Sequence, residues 1–192
     1  VSAIMALILG ICAATLGKKV DSAISFAIDT VMGIPHILLL ILISYAMGKG
    51  LKGVIAGVAL THWTSLARLI RGEVMQLRES EYIQIAGKLG LGKWEIAKKH
   101  IVPHVLPQFI VGLVLLFPHA ILHESSITFL GFGLSTEQPA IGVILSESMR
   151  YLIMGKWWLA VFPGMMLVLT VVLFEKGGTA IRQLLDPGSV HK

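Results

Sequence analysis

Apolar residues in this chain come in long runs separated by short polar stretches. Five runs stand out, at about residues 1–17, 20–48, 54–70, 106–122 and 157–174. Each approaches the roughly 20 residues that a helix needs to cross a bilayer. The second is interrupted at Gly33-Ile34-Pro35, where proline removes a helix hydrogen bond and predicts a bend. Gly53, Ala56, Gly57 and Ala59 give the third run the small residues that let helices pack closely. One long polar stretch, residues 68–104, separates the third and fourth runs, and an irregular Gly/Pro/Ser segment follows at 129–141. Trp157 and Trp158 open the last run where interfacial aromatics belong, and the tail RQLLDPGSVHK is polar. No internal repeat or low-complexity tract is present. The pattern predicts an all-α, polytopic transmembrane helical bundle of about five spans, forming one domain over residues 1–192.

Composition supports the same solvent. Of the 192 residues, 55% are hydrophobic and only 14% charged, with a mean hydropathy of +0.82. Soluble domains average about 25% charged residues, so a water-facing surface would go uncovered here and lipid must cover much of it. The net charge of +5 lies in the loops, and no basic groove interleaved with aromatics exists, so no nucleic-acid partner is expected. Of the sixteen Lys and Arg, twelve (Lys18, Lys19, Arg68, Arg71, Arg78, Lys88, Lys93, Lys98, Lys99, Lys176, Arg182 and Lys192) fall on one side of the predicted spans. Four (Lys49, Lys52, Arg150 and Lys156) fall on the other. The richer side is expected to be cytoplasmic, which places the 68–104 stretch there. The single Cys12 lies in an apolar run and reads as a small buried hydrophobe. The chain opens at Val1 inside an apolar run without a basic flank or cleavage site, so it is not a signal peptide. An earlier span is expected upstream.

The polar stretch reads RGEVMQLRESEYIQIAGKLGLGKWEIAKKHIVPHVLP. Residues 79–89 suit a short helix that Gly90 stops, and residues 93–99 suit a second that ends before Pro103. Two short helices make a rigid projection. Tyr82, Ile83, Ile85, Trp94 and Ile96 need burial, on this chain or on a partner.

This stretch resembles the EAA loop of binding-protein-dependent ABC importer permeases. The match is Gln84-Ile85-Ala86, then Gly90, then His100-Ile101-Val102-Pro103. Gln84 and Ile85 replace the first two letters, whereas the spacing and the glycine hold. The runs ARLIRGEVMQLRESEYIQIAGKLG, SITFLGFGL, WWLAVFPG and LLDPG are similar to the dipeptide/oligopeptide/nickel branch. The resemblance implies a type I ABC importer permease fold, with residues 79–103 as a cytoplasmic coupling loop. Its coupling helix near 81–90 would seat on an ABC ATPase through Glu81, Tyr82, Gln84, Ile85, Ala86 and Gly90. It further implies a second related permease subunit, an extracytoplasmic substrate-binding protein and a multi-pass place in the inner cell membrane. ATP and Mg²⁺ would be bound by the ATPase, leaving this chain without a cofactor and without catalysis.

Candidate chemistry gathers in PHAILHESS, where His119 and His123 stand four apart on one helical face. Paired imidazoles suit Ni²⁺, Cu²⁺ or Zn²⁺, and related nickel permeases carry His at this pair of positions. The expectation is a transient pathway contact for nickel or a metal chelate. Hydrogen bonding of both rings to neighbouring helices is the other reading, and short peptides are the other cargo. Glu124, Asp29 and His36 are further pathway candidates, since ionisable groups within spans face a cavity or a partner. His62 reads as a packed histidine, and Met165 and Met166 as core filler.

Three short motifs fail on their own terms. HESSI lacks the second histidine of a metalloprotease helix, because position 127 is Ile. Gly87 to Lys93 fits the P-loop spacing, yet Trp94 stands where Ser or Thr must bind Mg²⁺. Gly131-Phe132-Gly133 lacks the third glycine of a dinucleotide fingerprint. An autonomous channel or secondary transporter is the main rival class, and it leaves the projecting loop and Gly90 unexplained. A membrane scaffold would not need ionisable residues within its spans.

Overall fold

The structure is a computed structural model that describes residues 1–185. Residues 186–192, which hold the end of the LLDPG run and Lys192, lie outside the described residues. Among the described residues every regular element is helical. In chain order they are α1 (Ser2–Thr15), α2 (Lys18–Gly33), α3 (His36–Ala46), α4 (Gly50–Thr61), α5 (Trp63–Glu79) and α6 (Glu81–Lys88). There follow α7 (Lys93–Ile96), a π-helical turn (Ala97–Ile101), α8 (Val102–Phe129), α9 (Ile141–Leu152) and α10 (Trp158–Leu185).

The stretches Gly50–Glu79, Trp94–Phe129 and Trp158–Leu185 are long and apolar enough to cross a bilayer, and α2 with α3 makes a fourth if counted as one span. The break between those two falls at Ile34-Pro35, as the sequence predicts. α1 has only 14 residues. At 1.5 Å per residue that is about 21 Å, against a hydrocarbon core of about 30 Å. Of the five expected spans, the first therefore falls short by length.

Three local expectations need correcting. Residues 68–79 are the C-terminal part of α5 rather than loop, because Leu66, Ala67, Ile70, Val74 and Leu77 bury one continuous stripe among the charges. The helix after Gly92 does not stop before Pro103; it passes through the π turn into α8. That wider turn falls where the proline ring would meet the carbonyl four residues back. Met165 and Met166 are exposed rather than core filler, because the most apolar stretch of α10 is not buried by the rest of the chain.

The chain divides into two compact units. The first comprises Val1–Gly33, His62–Leu113 and the chain from Ala180. Here α1 lies along α5 through small residues at Ala3, Ala6, Gly10, Ala13 and Ala14, all buried. A Cβ on Gly10 would stand 2.9 Å from both the Ala67 carbonyl oxygen and Ile70 Cβ. Small residues are what permits that approach. α2 joins α5 by charge. Arg71 donates to both carboxylate oxygens of Asp21, at 2.5 and 2.8 Å, and Arg68 pairs with Asp29 at 2.5 Å. Arg78 donates to the carbonyl of Ala14.

The second unit comprises Ile34–Thr61 and Val114–Thr179. Its apolar centre is Leu40, Val54 and Ile127, with Ile41, Val58 and Leu134 packed on it. Gly53 and Gly57 admit α3 as expected, since a Cβ on Gly53 would meet the Ser44 carbonyl oxygen at 2.7 Å. The SITFLGFGL run proves to be a helix stop. Thr128 Oγ1 donates to Glu124 at 2.8 Å and accepts the Leu134 N–H at 3.0 Å. Gly131 takes φ of 82°, and a side chain on Gly133 would run into the Thr128 backbone at 2.7 Å. Ser44 Oγ then donates to the Phe132 carbonyl at 2.6 Å, tying this turn to the end of α3. Because Thr128 is buried, Thr128→Val keeps the shape but strands the Leu134 N–H. That should cost about 1–3 kcal/mol. We expect a lower melting temperature and faster proteolysis within residues 130–140 of the detergent-solubilised protein.

α9 was not anticipated from sequence. Its signal was available, because Gly142, Val143 and Ser148 turn inward while Glu147 and Arg150 stay exposed. Its mixed polarity hid it among longer apolar runs.

Candidate functional site

Two groups of residues carry candidate chemistry, one in each unit. The first is the elbow made by α6 and α7. Ser80 ends α5 with an extended ψ of 143°, and its Oγ donates to the Leu77 carbonyl at 2.5 Å. Gln84 Nε2 donates to the Glu79 carbonyl at 3.1 Å, holding α6 to the end of α5. The far end of α6 closes as a Schellman motif. The Leu91 N–H reaches the Ala86 carbonyl and the Gly90 N–H reaches the Gly87 carbonyl, both at 3.2 Å. Gly90 itself takes φ of 93°, the left-handed region that L side chains avoid. The sequence predicted a stop at this glycine, and the geometry is its reason.

Ile83 and Ala86 face inward and are buried, while Ile96 is half-buried. The other apolar residues of the elbow stay outside. Tyr82 is 47% exposed, Ile85 52%, Leu89 78% and Trp94 81%. Leu89 is the member that sequence reasoning missed, although its place beside Gly90 at the helix end made it visible. Glu81 and Gln84 are exposed too, so of the expected coupling residues only Ala86 turns into the chain. Tyr82 sets its ring edge-on to His100, with centroids 6.1 Å apart. The elbow thus turns four large apolar side chains outward.

The second group lies in the other unit. Pro35 (φ −53°, ψ 119°) precedes α3 and makes His36 its first residue. The His36 ring stacks on that of His123 of α8, with centroids 4.3 Å apart and planes 41° from parallel. Nitrogens of the two rings lie within 4.8 Å of each other. Thr61 Oγ1 is 3.4 Å from His36 Nε2 and makes a 2.9 Å bond to the Gly57 carbonyl. His119 stands one turn before His123 on α8 and is exposed. The sequence paired His119 with His123 by helical spacing; the fold adds His36, 87 residues away in the chain, as the ring in contact with His123.

Glu124 and Asp29 are engaged elsewhere. Glu124 turns to the helix stop, accepting from Ser125 at 3.3 Å as well as from Thr128. Asp29 is held by Arg68 in the first unit. His62 is buried.

Several apolar helices long enough to cross a bilayer, with an exposed helical elbow in the chain between two of them, define a polytopic membrane protein. The chain belongs to the family of binding-protein-dependent transport system inner membrane components, whose pattern matches residues 6–189. Among its relatives, a dipeptide transport system permease of Bacillus subtilis is 32% identical, over 89% of this chain and 53% of the relative. An oligopeptide transport system permease of the same organism is 30% identical, over 89% and 56%. A nickel transport system permease of Escherichia coli is 30% identical, over 95% and 66%. The chain thus spans between about half and two thirds of the length of the curated relatives it matches.

Proposed function

We propose that this chain is the transmembrane permease subunit of an ATP-driven ABC importer in the inner cell membrane. It lines the translocation pathway and seats its α6–α7 elbow, as a cytoplasmic coupling loop, on a separate ATPase subunit. The exposed Tyr82, Ile85, Leu89 and Trp94 carry this reading, with Glu81 and Gln84 beside them and Ala86 and Gly90 fixing the shape. A second related permease completes the pathway, and an extracytoplasmic binding protein delivers cargo. ATP and Mg²⁺ are bound by the ATPase, so catalysis and cofactor lie outside this chain. ATP drives the cycle by binding one conformation of the assembly better than the other, because only a difference in affinity can shift a conformational equilibrium.

Nickel or a metal chelate is the cargo best supported by this chain's own residues, through His36, His119 and His123. Peptides are the second reading, supported by the names of the dipeptide and oligopeptide relatives. Uptake of radioactive nickel in cells lacking their own nickel importer tests both. Cells carrying the complete system should accumulate nickel, and His119→Ala/His123→Ala should lose accumulation while the protein stays in the membrane. Nickel uptake unchanged by the double variant would make the histidines structural, and dipeptide uptake alone would favour the second cargo. Uptake without any ATPase would overturn the importer reading in favour of an autonomous transporter.

A further inference from the structure

We propose that His36 and His123 form a two-imidazole binding point for a divalent first-row transition metal ion, assembled from the start of α3 and the last third of α8. It deepens the metal-cargo reading and rests on that reading only for its part in transport. Three observations converge. The rings come from different helices, so their approach is a product of tertiary structure and not of helical spacing. Their centroids are 4.3 Å apart. Two imidazoles bound at right angles on one ion, at metal–nitrogen bonds of about 2.1 Å, bring their ring centres to roughly 4.6 Å, and a tetrahedral angle opens this to about 5.3 Å. The facing nitrogens also lie within 4.8 Å, so a small rotation of either ring aims both at one point.

The donors define the ligand. Two neutral nitrogens favour Co²⁺, Ni²⁺, Cu²⁺ or Zn²⁺ over Mg²⁺ and Ca²⁺, which take oxygen. Glu124 is the nearest carboxylate along α8, but its two oxygens are engaged by Ser125 and Thr128. The two imidazole ligands themselves bring no negative charge to the doubly charged ion, and charge held in a low-dielectric setting without compensation is costly. The site should release its ion readily, as a point of passage must. Pro35 fixes where α3 begins and with it the position of His36. His119, one turn from His123 and exposed, is the next imidazole along the same helix face.

Co²⁺ titration of the untagged full-length protein in detergent, followed by visible d–d absorption, tests the site. Wild type should bind Co²⁺ in competition with Ni²⁺ but not with excess Mg²⁺. His36→Ala and His123→Ala should each weaken binding at least about tenfold. His36→Cys keeps a donor in place and should add a near-ultraviolet thiolate-to-cobalt band. Wild type lacks that band, its only thiol being Cys12 on α1. The inference is overturned if wild type binds no Co²⁺, if His36→Ala binds as tightly as wild type, or if His36→Cys binds Co²⁺ without the new band. ATP-dependent nickel uptake surviving in His36→Ala would overturn this site and leave the metal-importer reading standing. Peptide uptake by a protein that binds no Co²⁺ would overturn both while sparing the permease role.

Discussion

Gly90→Val is expected to cut ATP-driven uptake by roughly five- to thirtyfold while leaving the protein inserted in the membrane. The number follows from one dihedral. Gly90 sits at φ of 93°, and an L side chain in left-handed backbone costs about 1–2 kcal/mol, which is that factor in an equilibrium. A Cβ at this position would meet nothing within 4 Å, so the effect is backbone strain and not collision. Relief of the strain would turn α7 against α6 and undo the Schellman bonds from Leu91 and Gly90, re-aiming the exposed Trp94. Gly90→Asn is the control, because asparagine tolerates the left-handed region and should keep most of the transport. The measurement is uptake per ATP hydrolysed in vesicles that hold permease and ATPase together. Equal coupling in the valine and wild-type proteins would remove the elbow from the mechanism.

Gly142→Val should have the largest effect on folding. A Cβ there would come to 2.6 Å from the Ser125 carbonyl oxygen and 2.9 Å from Ser125 Cα. Both belong to backbone inside α8, where no flexible side-chain end can yield. α9 must therefore shift, and Ser125 and Thr128, which hold Glu124, must shift with it. Overpacking of this kind costs about 1–3 kcal/mol and at times more. A drop of roughly 5 °C or more in the melting temperature is expected for a chain of this length. Gly164→Ala is the contrast, because its Cβ would find its nearest neighbour, Leu145 Cδ2, at 4.0 Å. It should melt with wild type. Equal losses in the two variants would mean that the α8–α9 approach is not what holds this region.

The helical class, the bilayer and the broken second span were legible because each depends on residues close in sequence. Gly33-Ile34-Pro35 sets the two residue types least suited to a helix interior two apart. Gly90 announces its helix stop by having no side chain. The extent of α5 was less legible. Arg68, Arg71 and Arg78 look like loop when read by polarity, yet each meets a partner on α1 or α2 once Leu66, Ile70, Val74 and Leu77 are buried. Leu89 and α9 left local traces that stronger neighbouring signals concealed.

By itself the sequence determined where the chain must be apolar, where its helices must break, and that a short helix closed by Gly90 punctuates the polar stretch. These follow from backbone geometry and from the removal of apolar area from water, both of which act locally. Tertiary structure alone decided which side chains meet. It buried Ala86 and left Tyr82, Ile85, Leu89 and Trp94 outside, spent Glu124 on the Thr128 helix stop, and set His36 against His123 across 87 residues. Such contacts depend on how separate helices pack, and helical periodicity carries no information about a partner on another helix.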